Sequence, residues 1–243
     1  MKRDRIDALL VIRGLCDSRE QAKRLILAGE VRSGDRIIDK PSTQLFPDAP
    51  LQIKEKQRYV GRGGLKLEGA LDQFQIDPTG WICLDVGAST GGFTDCLLQR
   101  GASRVYAVDV GHDQLDWKIR SDPRVIVREK YNFRQAQPQD FPEQMLLAVV
   151  DVSFISLTLI LPPVLSLLSA DGMAVVLIKP QFESRREDVG KGGVVRDPAI
   201  HQQALNKVRA WVESDGRLRW AGVMDSPITG MSGNREFLAW LVR

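Results

Sequence analysis

Leu84-Asp85-Val86-Gly87-Ala88-Ser89-Thr90-Gly91-Gly92-Phe93-Thr94 is the stretch that decides the fold. Trp81, Ile82, Leu84 and Val86 read as a buried parallel strand that runs into a glycine turn and opens a helix. A second apolar run, Val105-Tyr106-Ala107-Val108, follows and stops at Asp109. Strand, glycine turn, helix, strand, acid is a layout that holds an adenosine-bearing cofactor. The glycines admit the ligand to the backbone, and the acid accepts hydrogen bonds from ribose hydroxyls. The spacing Gly87-x-x-x-Gly91-Gly92 is not the G-x-G-x-x-G of dinucleotide sites, and the turn lacks the lysine of a phosphate loop. Both departures favour S-adenosylmethionine, which carries no phosphate. On the turn alone, a tight bend in any α/β sheet reads equally well; Asp85 and Asp109 together tip the reading towards a cofactor. The expected cofactor contacts are Asp85, Gly87, Ser89, Gly91, Gly92 and Phe93 around the turn, Asp109 at the ribose, and Asn132 near the adenine.

Outward from that stretch, β and α segments alternate. Strands are expected near 81–86, 104–109, 124–128, 146–151 and 173–178, with helices near 65–74, 90–100, 113–120 and 156–168. A long helix near 198–214 precedes two last strands near 217–225 and 235–242. This alternation predicts an α/β fold with a doubly wound, mostly parallel sheet, a closing hairpin supplying one antiparallel strand.

The N-terminal part differs. Residues 4–13 and 18–28 read as two short helices, the second capped by Asp17 or Ser18 and ended by Gly29. Short β pieces follow around 31–32, 36–38 and 51–53. A head over 1–53, a linker over 54–64 rich in charge and glycine, and a body over 65–243 are expected. Charge divides along similar lines. Residues 1–66 hold 15 Lys/Arg against 9 Asp/Glu, a net of +6, and residues 67–243 hold 19 against 22, a net of −3. A basic head on a slightly acidic body suggests a polyanion-binding module joined to a catalytic one. Arg3, Arg5, Arg19, Lys23 and Arg24 supply the head's cations, and Arg19 and Lys23, four apart, share a helix face. On charge alone a solvated face reads at least as well, since Asp17 and Glu20 sit among them.

The 243 residues allow one large domain with a small one, and 43% hydrophobic with 27% charged is ordinary for a globular chain. No apolar run approaches the roughly 20 residues that span a bilayer. Met1-Lys2-Arg3-Asp4-Arg5 leads into a polar helix rather than a signal peptide, so a cytoplasmic location is expected. Cys16, Cys83 and Cys96 have no metal-ligand spacing and read as core thiols, so no metal is expected.

Four charged residues stand where a parallel sheet delivers side chains to one crevice, at the carboxyl ends of strands. Lys66 starts the helix after the linker, Asp151 and Lys179 end strands, and Glu236 begins the last one. Each taken singly reads more readily as structural: a solvated lysine, a turn cap, two strand ends. Placed together beside a cofactor loop, they point to catalysis. Phe182 is suited either to stack on a target nucleotide or to serve as a core or lid residue.

Residues 3–50 resemble the alpha-L RNA-binding domain, through Arg3-x-Arg5-Ile6-Asp7, Ser18-Arg19-Glu20-Gln21-Ala22-Lys23-Arg24 and Gly29-Glu30-Val31-x-x-Gly34. Lys66, Asp151, Lys179 and Glu236 resemble the Lys-Asp-Lys-Glu tetrad of FtsJ-like ribose 2′-O-methyltransferases. Gly61 to Leu67, Asp151 to Ser156, Lys179 to Glu183, Gly190 to Asp197 and Gly230-x-x-Gly233-Asn234-Arg235-Glu236 extend the likeness across the chain. As a whole the sequence is similar to the TlyA (haemolysin A) family, with Tyr59 where members often have Trp. The resemblance implies a Rossmann-like class I methyltransferase sheet behind a small α+β RNA-binding domain. It also implies S-adenosylmethionine as cofactor and ribosomal RNA, or a ribosomal subunit, as partner, with no membrane. The tetrad is then catalytic, with Lys179 as base, needing a lowered pKa from partial burial and nearby Lys66. RNA contacts fall to Arg3, Arg5, Ser18, Arg19, Lys23, Arg24 and Arg62. Three other readings stay open: a non-catalytic RNA binder, a cytolysin as the family name suggests, and base methylation through Lys179-Pro180-Gln181-Phe182.

Overall fold

A computed structural model describes residues 3–54 and 57–243. The chain divides into two compact units, 1–56 and 57–243.

In the first unit, β1 (Asp4–Arg5) leads into α1 (Ile6–Ile12) and α2 (Arg19–Leu27). The strands β2 (Val31–Ser33), β3 (Arg36–Ile38), β4 (Gln44–Leu45) and β5 (Gln52–Ile53) complete it. Ser18, not Asp17, caps α2, its hydroxyl accepting the Gln21 N–H at 3.2 Å. Ile6, Leu10, Ala22, Ile26, Val31 and Ile38 make a small core under the antiparallel order β3-β2-β5. The pairing of β1 with β4 was not legible: each is two residues long, too short for a periodic signal.

The second unit carries α3 (Gly63–Phe74), β6 (Ile82–Val86), α4 (Gly92–Gln99), β7 (Arg104–Val108), α5 (Trp117–Arg120), β8 (Val125–Arg128) and β9 (Met145–Val150). Then come α6 (Leu161–Leu167), β10 (Leu168–Ile178), α7 (Pro180–Glu183), α8 (Pro198–Asp215), β11 (Arg219–Asp225) and β12 (Phe237–Val242). The seven-stranded sheet has the order β11-β12-β10-β9-β6-β7-β8. Only β12 runs against its neighbours, seated between β10 and β11. Alternate residues feed two cores. Leu84, Tyr106, Ala148 and Val176 face one layer of helices, and Cys83, Val105, Leu147 and Val175 face the other. Full burial of each large aliphatic chain contributes roughly 1.5–3 kcal/mol, so the sheet fixes the strand ends rigidly.

Local departures from expectation have local causes. The helix expected over 113–120 is confined to Trp117–Arg120, because Asp113 takes a left-handed φ of 57° and Asp116 caps the turn through the Lys118 N–H. The helix expected over 156–168 splits at Ile160, with proline opening α6 after a single 3₁₀ turn. The linker expected over 54–64 falls partly within the second unit. Residues 55–56 lie outside the described residues, and 57–64 belong to the second unit. There Tyr59 is buried, the Val60 N–H donates to Asp95 at 2.9 Å, and the Gln99 amide donates to the Arg58 carbonyl at 3.0 Å. This stretch lacks a helix or strand period, yet side chains of α4 satisfy its backbone.

Candidate active site

Chain order reverses between β6 and β9, and the crevice above that switch point is where an open α/β sheet binds ligands. The turn after β6 is pinned by the Gly87 and Ala88 N–H groups, which donate to the Val108 carbonyl at 2.8 and 3.1 Å. Gly87 has φ 86°, and a Cβ there would meet the Asp151 carbonyl at 2.3 Å, so only glycine passes. Asp109, at the end of β7, accepts the Ser89 N–H at 2.8 Å and the Gly111 N–H at 2.7 Å. One carboxylate thus ties the turn to the following loop and keeps free lone pairs.

Two adjoining cavities flank the turn. One, about 410 Å³, is lined by Gly87, Ser89, Asp109, Asn132 and the apolar Val110, Phe133 and Ile160. An acid, an amide and apolar walls fit an adenosine. The Asn132 side chain also accepts the Arg134 N–H at 3.2 Å. The other cavity, about 610 Å³, is lined by Gly92, Phe93 and all four of Lys66, Asp151, Lys179 and Glu236. The structure therefore brings the four sequence-distant charges together, in two pairs. Lys66 Nζ lies 2.6 Å from Glu236 Oε2, and Lys179 Nζ lies 2.5 Å from Asp151 Oδ1. Lys179 also donates to the Ser153 hydroxyl at 2.9 Å. Lys66, Lys179 and Glu236 are all buried. Gly230 makes room for the last of these, since a Cβ there would meet Glu236 Oε1 at 2.4 Å.

Two expected cofactor contacts are placed elsewhere. Asp85 is wholly buried and lines neither cavity; its Oδ2 accepts the Thr94 hydroxyl at 2.6 Å, and its Oδ1 has no partner. It sits on the pleat face turned towards α4, which the one-residue alternation of β6 dictates. Burial pushes its carboxyl up to about 7, the Thr94 hydroxyl opposing and Asp151 adding to the rise. Gly91, with φ 93°, starts α4 and packs against Leu115 and Ile119 rather than on a cavity wall.

The head's expected RNA contacts are partly committed. Ser18 is the helix cap. Lys23 pairs with Glu20 at 2.8 Å, so it forms no free stripe with Arg19. Arg5 and Arg19 both hold Asp7, Arg3 lies over the Phe46 ring at 4.7 Å, and Arg24 is exposed. Arg62, in the second unit, donates to the Thr229 carbonyl at 3.0 Å and lines the larger cavity.

Three residues that stood in the quoted motifs without a role of their own contribute to the site. Asn234 is buried, accepts the Val195 N–H at 2.9 Å and donates to the Gly193 carbonyl at 2.9 Å, fixing the glycine loop beside the cavity. Its place two residues before Glu236 was the available signal. Ser153 shares Lys179. Phe154 is 91% exposed at a left-handed φ of 63°, unusual for a bulky residue, with its ring 5.0 Å from that of Phe182 on the cavity rim.

Fold and site together define an S4-headed methyltransferase of the FtsJ-like kind. The FtsJ-like methyltransferase family matches residues 59–243, and the S4 domain matches residues 4–48. YqxC of Bacillus subtilis (strain 168) is 51% identical over 99% of this chain and 86% of its own length. The 16S/23S rRNA (cytidine-2′-O)-methyltransferase TlyA of Mycobacterium tuberculosis (strain ATCC 25618 / H37Rv) is 45% identical over 99% of this chain and 90% of its own. A solved hemolysin structure from Streptococcus thermophilus is 48% identical, with a TM-score of 0.76 over 100% of this chain and 89% of that one. The chain belongs to the FtsJ-like methyltransferases of the TlyA (haemolysin A) family.

Proposed function

We propose that the chain methylates ribose 2′-hydroxyls of ribosomal RNA, with S-adenosylmethionine as donor and the S4 head gripping the RNA. The observation that carries the reading is the Lys179–Asp151 pair at 2.5 Å in one cavity with Lys66–Glu236 at 2.6 Å, beside the glycine turn. Asp109 and Asn132 would hold the adenosine, and the turn from Gly87 to Gly92 the methionine end. When bound, S-adenosylmethionine supplies a sulfonium methyl group open to in-line attack. A ribose hydroxyl is a poor nucleophile near neutral pH and needs a base within hydrogen-bond reach. Lys179 must first release one ammonium proton; as the free amine it takes the hydroxyl proton, and Asp151 and Ser153 hold the ammonium that re-forms. Lys66, fixed by Glu236, orients the hydroxyl. Burial of Lys66, Lys179 and Glu236 limits their contact with water and strengthens their electrostatic interactions. Phe154 and Phe182 offer a stacking face to the nucleobase, as aromatic rims do for unstacked RNA. A cytoplasmic location is consistent with action on ribosomal RNA.

Lys179→Ala is expected to cut 2′-O-methylation by at least about a thousandfold, the upper part of what a general base contributes, while leaving RNA affinity unchanged. Mass spectrometry of nucleosides from treated ribosomal subunits checks this. Methylated bases in place of 2′-O-methyl nucleosides would redirect the reading to base chemistry. A relative bears the name Hemolysin A, and among the described residues of this chain no helix is long and apolar enough to cross a membrane.

A further inference from the structure

Asp7 lies in the first turn of α1, and its side chain is wholly buried. A buried carboxylate needs partners, and both of Asp7's are arginines. Arg5 grips it bidentately, Nε to Oδ1 and Nη2 to Oδ2, each at 3.1 Å. Arg19, from α2, donates from Nη2 to Oδ2 at 2.9 Å. The Arg5 hydrogen bonds foremost, then Arg19, outweigh desolvation and hold the carboxyl at about 2. The two guanidinium-bearing side chains are not buried with it: they stay 47% and 54% exposed.

Stability alone is a poor reason for this arrangement. Burying an ion to hold exposed partners gains little over a well-packed apolar side chain. What the carboxylate achieves is geometric. Two mutually repelling cations are brought to one anion, keep most of their N–H donors, and carry a net positive charge between them. Rigid, side-by-side guanidinium forks match phosphate oxygens bidentately and lose little rotamer freedom on binding.

We propose that Asp7 is a positioning residue that holds Arg5 and Arg19 together as one phosphate-binding fork for structured RNA. This rests on the reading that the head binds ribosomal RNA. The test is one of sign. Asp7→Asn removes a negative charge from the head, so electrostatics alone predicts tighter binding and a salt dependence at least as steep. Positioning predicts the opposite: about tenfold weaker binding and a shallower slope, since a phosphate contact is lost. The full chain is titrated against labelled 30S and 50S ribosomal subunits across a salt series, and hydrogen exchange over residues 4–53 reads folding. Weaker binding by a folded head supports the proposal; unchanged or tighter binding overturns it. Should Asp7→Asn unfold the head, Arg5→Lys combined with Arg19→Lys takes its place, keeping every charge but losing the forks. Loss of binding then supports the proposal, and full binding overturns it. If Arg5→Ala with Arg19→Ala leaves subunit binding untouched, the RNA reading of this surface fails, and the proposal falls with it.

Discussion

Asp85 shows how one residue's chemistry is set by which side of a strand it occupies. A carboxyl at the end of β6 reads as a cofactor contact from its neighbours in sequence, but the pleat turns it inwards to Thr94. Its folded-state pKa, pushed up to about 7 from the ordinary 3.8, lies above that of the unfolded chain. The native state therefore keeps a proton that the unfolded chain releases. Between about pH 4 and pH 7 this group makes the fold less stable as pH rises. Asp85→Asn keeps an acceptor for Thr94 and abolishes the titration. In urea unfolding, the advantage of the unsubstituted protein over the variant is expected to be largest at about pH 4 and below, to fall steadily as pH rises, and to level off by about pH 8. A pH-independent difference would mean that Asp85 is ionised throughout.

At the scale of elements, the site is a set of backbone approaches as much as a set of charges. Gly87 lets the turn after β6 pass under the Asp151 carbonyl, and Gly92 lets α4 meet the chain at Gly61 and Gly64. Gly87→Ala is expected to weaken S-adenosylmethionine binding by tenfold or more in calorimetry, because the Cβ collides with backbone that cannot yield. Gly192→Ala is the control. It has a similar φ of 79° but nothing within 4 Å, so it costs only roughly 1 kcal/mol of stability and leaves cofactor affinity intact. Long elements with a clear signal were legible: the strands of the sheet, α3, α4 and α8 fall where apolar runs and helical periods put them, except that β10 begins five residues earlier than expected, at Leu168. α7 and the β1–β4 pair were not, because four and two residues carry no period. The four site charges were legible through their positions at strand ends and through the family likeness. The pairing of Lys66 with Glu236 and of Lys179 with Asp151 was not, because which of two lysines meets which acid depends on packing between elements far apart in sequence.

At the scale of the methyltransferase unit, that pairing joins its beginning to its end. Lys66 lies in α3, the unit's first helix, and Glu236 immediately precedes β12, its last strand, 170 residues on. β12 is seated between β10 and β11, so the ion pair ties the first helix to the strand that joins the last two partners of the sheet. Removing one partner strands the other. Glu236 is 3% exposed, and with Lys66→Met its charge would lose its 2.6 Å partner. A loss of about 3–5 kcal/mol in urea unfolding is expected. Lys66→Met combined with Glu236→Gln removes the stranded charge and should recover most of that loss. Methyl transfer is expected to be abolished in the single and the double variant alike, because the cavity then lacks the amine proposed to orient the hydroxyl. Recovery of activity along with stability would show that the pair serves the fold alone, and catalysis would then rest on Lys179 and Asp151.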